Sequence, residues 1–66
     1  MTPETIQQAV DYIRAMQRDP ETAHAAEQDL HQAVLAAIAG GLVDDPADCA
    51  RVALTTAEMT FPRWCA

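Results

Sequence analysis

The chain has 66 residues, half of them apolar, with ten acidic residues against four arginines, no lysine and a formal charge of -6. That apolar share excludes intrinsic disorder, and the length allows one small domain, spanning 1–66, near the lower limit for a single core. The acidic balance excludes a surface that grips phosphate backbones or anionic membranes, and no run of about 18 apolar residues is present to cross a bilayer.

A capping residue precedes proline three times, as Thr2-Pro3, Asp19-Pro20 and Asp45-Pro46. Threonine and aspartate accept hydrogen bonds from the unpaired amides of a first helical turn, and proline at the next position has no amide to lose. The spacing predicts a first helix over 3–18, with Ile6, Ala9, Val10, Ile13 and Met16 on one face. Asp19-Pro20 then ends that helix and starts a second over 20–39, antiparallel to the first. Ala23, Ala26, Leu30, Ala33, Val34, Ala37 and Ile38 share its inner face. Gly40-Gly41 terminates it, since glycine tolerates the left-handed position after a helix, and Leu42 is expected to fold back there as an apolar contact.

Asp45 starts a third helix over 46–59, with Asp48 reinforcing its first turn. Cys49, Val52, Ala53 and Ala57 form its stripe, flanked by Ala50 and Leu54. Pro62 blocks further helix, which leaves an irregular aromatic tail. The fold class is all-α, a three-helix bundle. Its large core candidates include Leu35, Leu42 and Leu54 beside Ile6, Val10, Ile13, Leu30, Val34, Met59 and Phe61. So thin a core predicts support from a second copy, giving a homodimer through a helix face, or from a partner.

Phe61, Arg63 and Trp64 cluster at the chain's end, and aromatic rings with arginine dominate binding hot spots. The alternative is that both rings fold back over an alanine-rich core. The stretch from His24 to Leu35, the Asp45-Pro46 helix start and the Phe61-Pro62-Arg63-Trp64 ending together resemble short helical proteins of phage and bacterial genomes. Their pattern runs Ala-His, a Glu-Asp pair and a Val-Leu helix, ending in Phe-x-Arg-Trp. Here Gln28 follows Glu27 where an acid often stands, and Pro62 lies inside the tail motif. Such proteins have no assigned activity, so the resemblance implies a phage-like or accessory setting and transfers no catalytic residue.

His24, Glu27 and His31 share one side of the second helix. The two imidazoles are about 10 Å apart along the axis, too far to hold one ion together, so no metal is expected and a boundary or partner-facing role is. Asp44, Asp45 and Asp48 lack the glycine and distal glutamate of a calcium loop, and capping accounts for Asp45 and Asp48. Cys49 and Cys65 read as reduced thiols. Arg63 near Cys65 could make that thiol reactive, but nucleophilic catalysis also needs a positioned base and a cleft. With no leader-like N-terminus, a cytoplasmic setting is expected.

The reading is a non-enzymatic interaction module without a cofactor, docking on a larger protein and modulating or inhibiting it. Phe61, Arg63, Trp64, His24, Glu27 and His31 are its candidate partner-binding residues. The alternative is an acidic mimic of DNA that blocks a nucleic-acid-binding protein. Direct DNA reading by a helix-turn-helix is disfavoured, because Arg51 is the one basic residue on the third helix.

Overall fold

Each of the three proline-led starts opens a helix. In the computed structural model, which describes residues 1–63, α1 spans Pro3–Ala15, α2 spans Pro20–Ala39 and α3 spans Pro46–Leu54, followed by a 3-10 turn at Thr55–Glu58. No strand occurs among the described residues. The three helices pack against one another as an all-α three-helix bundle.

The caps act as expected. The Thr5 amide donates to Thr2 Oγ1 at 3.2 Å, while the Thr2 amide donates back to Thr5 Oγ1 at 3.1 Å, a reciprocal capping box closed by threonine. Asp19 accepts from the Thr22 amide at 3.4 Å and from the Thr22 hydroxyl at 2.8 Å. Asp45 accepts from the Asp48 amide at 3.3 Å. At the end of α2, Gly41 takes φ +70°, and the amides of Gly41 and Leu42 donate to Ile38 O and Ala37 O. That pair of bonds is the Schellman closure, and the positive φ is why glycine stands there. Leu42, however, stays 75% exposed, so the expected apolar contact buries little of it.

Two helices end sooner than their sequence pattern suggests. α1 stops at Ala15 instead of Arg18, because Asp19 must hold a non-helical cap ahead of Pro20. Met16, Gln17 and Arg18 form the reversing turn, closed by the Asp19 amide on Met16 O at 2.9 Å. α3 yields to the tighter 3-10 turn after Leu54. There the Thr55 and Thr56 hydroxyls donate to Val52 O and Ala53 O, three residues back, and this local bonding competes with regular helix.

The core follows the helical repeat. Ile6, Val10 and Ile13 of α1 are at most 1% exposed, and they meet Ala23, Leu30 and Val34 of α2 and Cys49 and Ala53 of α3. Met59 and Phe61 close the cluster from beyond the 3-10 turn. Leu35 and Leu54, expected inside, stand 67% and 63% exposed. The reason is angular: neighbours on a helix differ by about 100°, so Val34 and Leu35, or Ala53 and Leu54, cannot both face inward.

Candidate functional site

Five of the six candidate partner-binding residues fall within the described part of the chain, and four of them are used inside the bundle. Glu27 lies on the inner stripe of α2 between Ala23 and Leu30, and it is buried. A carboxylate in that position needs a cationic partner, since burying an unpaired charge is costly. Arg63 supplies it. Its Nε donates to Glu27 Oε1 at 2.7 Å and its Nη2 donates to Glu27 Oε2 at 3.0 Å, a bidentate pair. The remaining donors reach Met59 O at 3.0 Å, Phe61 O at 3.1 Å and Thr56 O at 2.8 Å. All five N–H groups of the guanidinium are thereby satisfied. Its plane also lies 3.9 Å from the centre of the Phe61 ring, which is itself buried.

Electrostatics follow the geometry. The hydrogen bonds from Arg63 hold the Glu27 carboxyl below its ordinary value, prevailing over the burial that pushes it up. Glu27 in turn raises the Arg63 guanidinium. This clasp ties the segment after the 3-10 turn to the middle of α2.

His31, one turn beyond Glu27, joins the same seam. Its Nε2 lies 3.2 Å from Ala53 O and 3.0 Å from Thr56 Oγ1. A carbonyl only accepts, so the tautomer with hydrogen on Nε2 satisfies both contacts. Thr56 is wholly buried. His24 is half-buried, and its Nδ1 is buried with no hydrogen-bond partner among the described residues. His24, Glu27 and His31 do not converge on a common point, and among the described residues no group of three His, Cys, Asp or Glu is placed to hold a metal ion. Cys49 is buried in the core as a free thiol. Trp64 and Cys65 lie outside the described residues.

A second feature, apolar and open to solvent, lies elsewhere on the bundle. Val34 and Ala53 form the floor of a groove between α2 and α3, about 210 Å³ in volume, with His31, Leu35, Ala50 and Leu54 as its walls. Two leucines that a bundle of this size would ordinarily bury stand at its rim, mostly exposed. Leu35 lies one turn from His31, and Leu54 one turn from Ala50, so the groove runs along the α2–α3 seam. Sequence reasoning placed both leucines in the core and missed this surface. The signal was available: each follows directly on a residue whose spacing already assigns it to the inner face.

No protein-family model matches the chain, and no curated protein or solved structure matches it either. The geometry of the two regions therefore carries the functional reading.

Proposed function

We propose that the protein is a non-enzymatic interaction module that docks on a larger protein through the α2–α3 face. The observation that carries this is the pair of exposed leucines, Leu35 and Leu54, flanking an apolar groove whose floor is Val34 and Ala53. Leucines left mostly in water beside a concave apolar seam are what a partner would cover, because closing the seam removes apolar surface at about 25 cal/mol per Å². The groove's volume falls below the roughly 300–1,000 Å³ of small-molecule sites, which favours the side chains of a protein over a substrate.

On this reading the candidate contacts shift. Glu27, Phe61 and Arg63 act indirectly, by fastening the chain across the bundle, and His31 contributes a wall of the docking face. The phage-like or accessory setting implied by the resemblance suits a small module that modulates a host protein. The DNA-mimic alternative draws less support: Asp19 and Asp45 cap helices and Glu27 is buried, so the carboxylates do not line up as one phosphate-like row. The test compares tagged wild type with the double variant Leu35→Ser, Leu54→Ser in affinity purification from the native host. A partner held by the wild type and lost from a normally folded double variant supports docking at this face. Equal retention by both removes it.

A further inference from the structure

Charge and backbone chemistry narrow the occupant of this groove. We infer that it is an amphipathic helix with an apolar stripe and basic flanks, presented by the larger partner; this rests on the docking face proposed above. Both walls of the groove are helices, whose amides and carbonyls are paired along their own axes. An extended peptide would find no edge to hydrogen-bond with, whereas a helix arrives with its backbone already satisfied. The walls offer anchor points one turn apart, His31 and Leu35 on α2 and Ala50 and Leu54 on α3. That interval matches the i and i+4 side chains of an incoming helix.

Charge selects among helices. Among the described residues, Arg14 pairs with Asp11, Arg51 with Asp48 and Arg63 with Glu27. Those pairs occupy three of the four arginines, leaving seven carboxylates against Arg18. Glu58 stands one turn past Leu54, and Asp44 and Asp45 precede the first turn of α3. The groove itself is apolar, Arg51 beside it is held by Asp48, and the chain's unpaired charge is almost wholly acidic, so lysine or arginine flanking an apolar stripe gains from both. A second copy of this chain would bring a further -6 to the contact, and it is disfavoured for that reason.

The test uses the full chain and three fluorescein-labelled amphipathic peptides of about 18 residues, five helical turns, that share one leucine stripe and carry Lys, Gln or Glu on the other face. Binding is read by fluorescence anisotropy at about 50 and 500 mM salt, where screening differs strongly. The Lys peptide is expected to bind about tenfold or more tighter than the Gln peptide at low salt, and the Glu peptide weakest. Leu35→Ser with Leu54→Ser should weaken the Lys peptide about tenfold, whereas Leu42→Ser, on another exposed leucine, should leave it unchanged. If Lys and Gln peptides bind equally and both depend on Leu35 and Leu54, the docking face stands and the charge inference is overturned. If the Lys peptide ignores the leucine substitutions, binding is surface electrostatics and both readings are overturned. A wild-type dimer by sedimentation that the leucine substitutions dissociate would make a second copy the occupant, overturning the basic-helix inference.

Discussion

The clasp around Arg63 and the groove beside Leu35 invert the usual distribution of residues. In the clasp, a carboxylate, a guanidinium, a threonine and a histidine are drawn into the bundle and bonded to one another or to backbone carbonyls. In the groove, two leucines that composition alone would bury stand in water. The difference teaches that residue type is a poor guide to role in a chain this short. Polar groups can be structural when every donor is matched, and leucines can be surface when the helical phase turns them outward.

The comparison can be broken from the clasp side first. Phe61→Ala removes a buried ring that both fills the core and underlies Arg63, and it should cost about 3–5 kcal/mol, a large share of what a domain of this size holds. Thermal melts followed by circular dichroism should show the variant partly unfolded at room temperature; a melt close to wild type would mean the ring is not a core element.

Arg63→Ala strands the Glu27 carboxylate. The expected loss is about 2–3 kcal/mol, below the roughly 3–5 of a fully enclosed pair because solvent reaches part of the Arg63 side chain. Arg63→Lys should restore only part of it, since an ammonium cannot reproduce the planar five-donor fork. Full rescue by lysine in urea melts would show that charge alone, and not the fork, is what matters.

A pH series sharpens the same point. The folded state depresses the Glu27 carboxyl below its ordinary value of 4.5, so the stability it contributes is fully present above that pH. It is lost as pH falls through the lowered folded value. Wild type should therefore lose stability on acidification more steeply than Glu27→Gln, and parallel acid limbs for the two proteins would remove the clasp as the cause.

The groove side predicts the smallest effect. Leu35→Ser and Leu54→Ser should each change unfolding free energy by no more than about 0.5 kcal/mol, because neither side chain is buried on folding. A loss of about 2 kcal/mol, typical of core leucines, would place them in the folded interior and end the contrast.

Much of the clasp was legible in the sequence in principle. Glu27 sits in the phase of Ala23, Leu30 and Val34, so a buried acid was implied, and Arg63 alone among the arginines within a helix or beyond α3 lacks an acid three or four positions away. What could not be read was that the chain after Met59 doubles back across α2, because pairing across 36 residues has no local signature. The groove is similar. Spacing turns Leu35 and Leu54 away from the inner stripe, but whether an outward leucine meets another helix or water depends on how α2 and α3 cross.

Local chemistry in the sequence determined where helices start: a side-chain acceptor before proline answers unpaired amides within a few residues, whatever the rest of the chain does. The same local periodicity determined which side of α1 is buried, as Ile6, Val10 and Ile13 bear out. Only the tertiary structure decided what Glu27, Arg63, Leu35 and Leu54 face. Their surroundings come from helices distant in sequence, and the free energy of a charge or a leucine depends on what it faces once those helices have packed.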